Sequence, residues 1–333
     1  MPHRKYNCIP SIAKIAAGLL AGATLLTLVG PLVGETIATL PPSFPRNSAG
    51  PLEVLGLPYE EVSFASTEGI VLRGWFIPAE GANAPAILYA PATAHDQRSG
   101  LSLVPAFHQA GYHVLLFSYR GHALSDGRRG AFTYGDAESR DVDAAVRFLS
   151  ETKEIGQIGV IGHSAGAVSA ILSAARNPLV GAVIAVAPFT CVSDVWYTSR
   201  PKLVPAFILD WALWVAENLR GFDREDVCPL KVVDQVAPRP LLIIHGTNDQ
   251  RITQEQVQSL FAAAQAPKTL WLVEGASHSQ VRTPVLEAMS GDLIVFLDEA
   301  LSVPRAAEAV PAGVSDPAWW DTGARAGEIP VPF

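Results

Sequence analysis

The sequence is short of cysteine, of charge and of most cofactor signatures. It has three cysteines in 333 residues, no Cys-x-x-Cys pair and no His-Glu-x-x-His pair, which removes the usual zinc patterns. It also has no P-loop, no dinucleotide-type glycine fingerprint and no internal repeat, so no cofactor is implied. Charged residues make up 17%, and the formal net charge is −8. A nucleic-acid partner is excluded for want of a basic footprint. The cysteines themselves say little. Cys8 precedes the first apolar run, which is the wrong side for a lipoprotein attachment site. Cys191 and Cys228 fall in one insertion, either as a disulfide or as two buried free thiols, and their spacing does not choose between these.

Hydrophobic residues are plentiful, at 49%. That is enough for a large core, and one α/β domain of roughly 240 residues with appended ends is the natural division. The most informative stretch inside it is Gly162-His163-Ser164-Ala165-Gly166, which follows the apolar run Ile158-Gly159-Val160-Ile161. A serine on a tight strand-to-helix turn has its Oγ lifted clear of the backbone, and flanking glycines let neighbouring elements approach that turn. A surface Gly-rich turn matches the same short pattern. The preceding β-run and the proline-free small-residue segment Ala165 to Arg176 favour the elbow.

A serine hydroxyl needs a base to take its proton and an acid to orient that base. After the strand-like run Pro240 to Ile244 comes His245-Gly246-Thr247-Asn248-Asp249, and after Thr269 to Glu274 comes Gly275-Ala276-Ser277-His278. The expected acid is therefore Asp249 and the expected base His278, each just past a strand. Asp194 and Asp210 are rivals for the acid, but neither follows a strand. The order Ser164, Asp249, His278 is that of the α/β-hydrolases. From about Tyr59 to Leu301 the chain resembles that superfamily, in particular its small-cap serine hydrolases. Among these are membrane-anchored acyl hydrolases and serine-peptidase-like esterases. Leu72 to Pro78, Phe117 to His122 and Leu241 to Asp249 carry the likeness beyond the triad.

The resemblance implies an oxyanion hole from the backbone N–H groups of Ala92 and Ala165. The loop departs from the family pattern, with Ala90-Pro91 where His-Gly is usual. His95, near this loop, is a possible substrate contact. His163 is the variable residue of the elbow, and His122 is expected to make a structural hydrogen bond.

Runs beginning at Glu61, Ile70, Ala86, His113, Gln157, Gly181, Pro240 and Thr269 read as eight strands. Helical segments over Leu101–Ala110, Asp136–Ser150, Ala165–Arg176, Thr253–Ala264 and Pro284–Glu299 alternate with them. The expected fold is thus α/β, the α/β-hydrolase fold: a mostly parallel sheet with helices on both faces. The hydrolase domain spans 60–301 and includes a small helical cap at about 189–238. In the cap, Phe207, Trp211 and Trp214 lie on one helical face, which either packs on the body or forms an apolar roof over the acyl site or a membrane-facing surface. The stretch 41–59 reads as a Pro-rich linker and 302–333 as a disordered tail.

Arg4, Lys5 and Lys14 precede twenty uncharged residues, Ile15 to Gly34. Segment 1–40 therefore reads as a basic segment and a transmembrane anchor. The positive flank puts the hydrolase on the extracytoplasmic side, and secretion after signal cleavage is the alternative. The function expected is cleavage of a small-molecule ester, thioester or lipid-like substrate through a covalent acyl-enzyme. A serine peptidase of the same fold and a non-catalytic binding protein are the alternatives. The oligomeric state is not readable.

Overall fold

The computed structural model describes residues 39–44, 48–81, 83–200, 204–302 and 326–329, the last for backbone only, and a few isolated positions between 14 and 33. One sheet runs through the molecule in the order β1-β2-β4-β3-β5-β6-β7-β8-β9. The strands are β1 Glu60–Ala65, β2 Val71–Ile77, β3 Ala86–Ala90, β4 His113–Ser118, β5 Ile158–His163, β6 Ala182–Val186, β7 Leu241–Gly246, β8 Lys268–Val273 and β9 Ala326–Ile329. The β1–β2 and β2–β4 pairs are antiparallel, and all others are parallel.

The apolar runs of β3 to β8 are continuous because both faces of this sheet are covered. Alternate side chains divide between two cores, as a period of two demands. Leu88, Leu115, Val160, Val183, Ile243 and Leu272 pack on one side. There they meet helices α3 (Asp136–Arg147), α4 (Ala165–Arg176) and α7 (Gln254–Ala263). Ile87, Leu116, Ile161, Ile184, Ile244 and Val273 pack on the other. Their partners are Phe107 of α2 (Val104–Gln109) and Phe296 and Leu297 of α8 (Ser290–Ala300).

Beyond the eight expected strands, β9 pairs in parallel with the outer edge of β8, Leu270 opposite Ala326 and Val273 opposite Ile329. These four residues lie in the expected disordered tail; the edge of β8 offers backbone donors and acceptors that a tail segment can satisfy. Residues 303–325 and 330–333 of that tail lie outside the described residues.

The Pro-rich stretch before β1 also differs from an extended linker. Pro51–Leu55 forms a short helix, α1, with Pro51 at its first position, and Phe44, Leu57 and Tyr59 pack against the second core. The rings of Phe44 and Tyr59 lie 6.2 and 5.9 Å from that of Trp75. Burying these side chains outweighs the extended bias of the prolines.

The membrane expectation is corrected. Among the described residues no helix is long and apolar enough to cross a membrane, so neither the anchor nor the extracytoplasmic location is retained. The stretch Ile15 to Gly34 that prompted it lies almost wholly outside the described residues. Its reading rested on the twenty-residue length of that uncharged stretch, its Leu, Ala, Gly and Val content and the basic flank before it.

The chain passes from β3 to β4 on one side and then to β5 on the other, so the sheet order reverses at β3 and β5. Ligand sites in open α/β sheets form at such reversals, beyond the carboxyl ends of the strands. Ala90 of β3 sits opposite Gly162 of β5, which brings the loop after β3 beside the start of α4. The approach is close enough that a Cβ at Gly166 would run into the carbonyl oxygens of Ala90 and Pro91, and one at Gly162 into the backbone of Gly166. Gly166→Ala is therefore expected to cost at least about 1–3 kcal/mol, because the obstacle is backbone and not a movable side chain. A urea unfolding midpoint equal to that of the parent protein would show that the loop and helix are not held this tightly.

Candidate active site

Ser164 occupies the residue between β5 and α4 with φ 55° and ψ −121°. That conformation costs a non-glycine residue on the order of 1–3 kcal/mol and is tolerated only where surroundings over-determine it. Here the Ser164 N–H donates to the Val186 carbonyl of the neighbouring strand at 2.8 Å, and the Ser164 carbonyl accepts from Val168 N–H in the first turn of α4 at 3.1 Å.

The loops after β7 and β8 carry the other two expected residues and are tied together. Asn248 N–H donates to the Ala276 carbonyl at 3.0 Å, and Gly275 N–H to Thr247 Oγ1 at 2.9 Å. Asp249 Oδ1 accepts the N–H groups of Arg251 and Ile252 at 2.8 and 3.1 Å. Its Oδ2 lies 2.6 Å from His278 Nδ1, and His278 Nε2 lies 3.2 Å from Ser164 Oγ. A carboxylate only accepts, so the His278 proton sits on Nδ1 and Nε2 is free to accept from the serine hydroxyl. Burial pushes the Asp249 carboxyl up. The hydrogen bond and charge of His278, with the two backbone N–H groups, outweigh it and hold the carboxyl below its ordinary value. The rival acids are engaged elsewhere, Asp194 with Thr190 and Asp210 with Tyr197.

His163 adds a feature the motif did not reveal. Its Nε2 lies 3.1 Å from the His278 carbonyl, and the two rings are 4.9 Å apart. Burial, reinforced by neighbouring His278, pushes the His163 pKa down to about 3, so it is neutral and donates this bond from Nε2. The elbow's variable residue thus braces the backbone of His278. His122 is buried, with Nδ1 3.0 Å from the Arg120 carbonyl, and does not line the site.

Ser164 and His278 open into a cavity of about 1130 Å³, bordered also by Ala92, Thr93 and His95. Ala165 is the first residue of α4, so its N–H has no partner inside the helix. Neither it nor Ala92 N–H is spent on another carbonyl among the described residues.

The cap aromatics lie elsewhere than expected. Helix α6 (Ala206–Arg220) buries Ile208, Leu209, Ala212, Leu213 and Ala216, while Phe207 and Trp214 are 68% and 56% exposed. Trp211 is half-buried, and none of the three lines the cavity. Ala212 and Ala216 let the helix approach the body closely, which turns the bulkier face outward. The cavity wall is built instead by Phe189, Val195, Trp196, Leu209 and Ile252, with Trp196 and Val195 from α5 (Val192–Thr198). Cys191 and Cys228 form a disulfide that joins the two ends of the segment containing α5 and α6. No group of three or more potential metal ligands is found among the described residues.

Residues 92–228 match the family model for serine aminopeptidase, S33. The uncharacterized protein YqkD of Bacillus subtilis is 30% identical over 206 residues, covering 60% of this chain and 67% of its own length. Polyketide transferase ATR5 of Stachybotrys chlorohalonatus is 33% identical over 268 residues, covering 66% of this chain and 89% of its own. Among solved structures, the Pyrococcus furiosus esterase Pf2001 aligns with TM-score 0.65 and 21% identity over 79% of this chain and 98% of that one, a likeness of fold. Strand order, the turn after β5 and these relatives agree: the chain belongs to the α/β-hydrolase superfamily and is a hydrolase of that fold.

Proposed function

We propose that the protein is a serine hydrolase that cleaves a carboxylic ester or thioester through a covalent acyl-enzyme. The observation that carries this reading is the continuous hydrogen-bonded line from Asp249 through His278 to Ser164, opening into one cavity. His278 Nε2 takes the hydroxyl proton as Ser164 Oγ attacks the substrate carbonyl carbon. Asp249 stabilises the imidazolium, and the N–H groups of Ala92 and Ala165 receive the oxyanion. When the carbonyl's bond to the leaving oxygen or sulfur breaks, His278 returns the proton to that atom. Water, deprotonated by the same histidine, then attacks the acyl carbon and frees Ser164.

A fluorophosphonate probe tests the reading directly. Stoichiometric labelling at Ser164, blocked by prior incubation with substrate, is expected; a folded protein that remains unlabelled would make it a binding protein of hydrolase fold.

A peptidase reading is favoured by one observation, the description of the family model that matches residues 92–228. It uses the same nucleophile and base. Comparison of an ester with its matched amide separates the two, and faster turnover of the ester is expected.

The oxyanion assignment has its own test. The Cβ contacts at Gly166 put the N-terminus of α4 against the loop that carries Ala92. Ala92→Pro deletes one donor and is expected to lower kcat by roughly 10²–10³, with a much smaller change in KM, because the bond matters chiefly in the transition state. Near-parental kcat in a variant with unchanged thermal unfolding would move the donor to another residue of the loop.

A further inference from the structure

The charge lining the cavity is one-sided. Among the described residues that border it, three are arginines, Arg200, Arg251 and Arg282, and none is an aspartate or glutamate. This occurs in a chain whose net charge is −8. None of the three arginines forms an ion pair with a carboxylate among the described residues, whereas Arg98, Arg120, Arg140, Arg176 and Arg224 all do.

Arg282 is the one that contacts a residue of the loop after β3. It lies four residues after His278, in the turn Val281–Val285, and its Nη1 contacts His95 Nε2 beside the oxyanion loop. His95 Nδ1 lies 2.7 Å from the Thr93 carbonyl, so its proton is there and Nε2 can only accept from Arg282. A neutral imidazole orients the guanidinium without cancelling its charge. Burial, aided by the charge of Arg282, holds His95 below the ordinary histidine range. The Arg282 Nε is fully buried and has no hydrogen-bond partner among the described residues. Arg282 as a whole is half-buried at the cavity border and has no carboxylate partner among the described residues, so an anionic group in the cavity would supply the charge its guanidinium lacks.

Resting on the serine-hydrolase reading above, we infer that the preferred substrate carries a carboxylate or comparable anion near the scissile carbonyl, held by Arg282 with Arg200 and Arg251 adding attraction from the cavity wall. The apolar wall of Phe189, Trp196 and Leu209 takes the hydrocarbon between the two groups. The same charge opposes a free α-ammonium, which an aminopeptidase substrate presents next to its scissile bond.

The test compares mono-4-nitrophenyl adipate with its methyl ester, which replaces the carboxylate by a neutral group one methyl larger, reading 4-nitrophenol release after subtraction of uncatalysed hydrolysis. The anion is expected to be preferred by about 10- to 100-fold in kcat/KM, the range of one charge-assisted hydrogen-bonded contact. Arg282→Gln should bring that ratio close to one, and Arg282→Lys, which keeps the charge and guards against loss of folding as the cause, should keep part of it. Equal or better turnover of the methyl ester by the parent protein, or an unchanged ratio in Arg282→Gln, overturns the inference. The same pair with the carboxylate on the leaving group, 4-acetoxybenzoate against its methyl ester, shows which side of the carbonyl faces Arg282. Calorimetric titration of adipate into the Ser164→Ala protein reads the site without turnover. Binding there at least about tenfold tighter than to the Ser164→Ala/Arg282→Gln protein supports the anion site even if the hydrolase reading fails; equal binding overturns it.

Discussion

Ser164→Ala is expected to lower kcat for a good ester substrate by about 10⁶ while leaving the far-UV dichroism unchanged. On the proposed mechanism the loss is this large because Ser164 and His278 act as one unit: without Oγ no acyl-enzyme would form, and His278 could only activate water held at a distance. His278→Ala should lose about as much, and the double variant little more. The serine side chain makes no packing contribution that its strained backbone needs, since the φ of 55° is held by the bonds of its own N–H and carbonyl to Val186 and Val168. Alanine accepts that conformation at a similar cost. Retention of more than about a thousandth of the parental kcat by either variant would remove Ser164 or His278 from the mechanism.

The two arms of this prediction were legible in the sequence for a local reason. Each expected residue follows a short apolar strand, and in a parallel sheet all the carboxyl ends point the same way, so residues after β5, β7 and β8 are brought to one edge. The period-two division of Leu88 from Ile87 and of Val160 from Ile161 between two cores could likewise be read from unbroken apolar runs. What sequence alone did not give depends on how elements pack. The face that α6 buries is set by Ala212 and Ala216, small enough to approach the body, and a count of aromatics at helical spacing points to the opposite face. Arg282 is a surface-type residue in sequence and becomes a cavity residue because the turn Val281–Val285 folds it back towards His95. Trp196 enters the cavity wall from a seven-residue helix with no pattern long enough to read. The pairing of Cys191 with Cys228 was one of two open readings, and only the fold brings them together.

Asp249→Asn is expected to lower kcat by about 10⁴, and the hydrogen bonds around it dictate why. Oδ1 accepts two backbone N–H groups, from Arg251 and Ile252, so an asparagine must place its carbonyl oxygen at that position. Its amide nitrogen then occupies the position of Oδ2, 2.6 Å from His278 Nδ1. Two donors cannot share that contact, so the imidazole shifts its proton to Nε2 and presents Nδ1 as the acceptor. In that tautomer Nε2 faces Ser164 Oγ as a donor and cannot take the hydroxyl proton. The side chain remains isosteric and keeps its two backbone bonds, so thermal unfolding at neutral pH should fall only modestly. What it does lose is the carboxylate's linkage to pH. The Asp249 carboxyl is held below its ordinary value in the folded protein, so its stabilisation is present above the unfolded-state pKa of about 3.9 and is lost as pH falls through the folded value. The parent protein should therefore lose stability below about pH 4 more steeply than Asp249→Asn, which has nothing to protonate there. Initial rates with a chromogenic ester, fluorophosphonate labelling rates and acid unfolding of the two proteins measure all three consequences. An Asp249→Asn protein with more than about a tenth of the parental kcat would mean that His278 is oriented by some other group, and would return the acid's role to a residue outside the loop after β7.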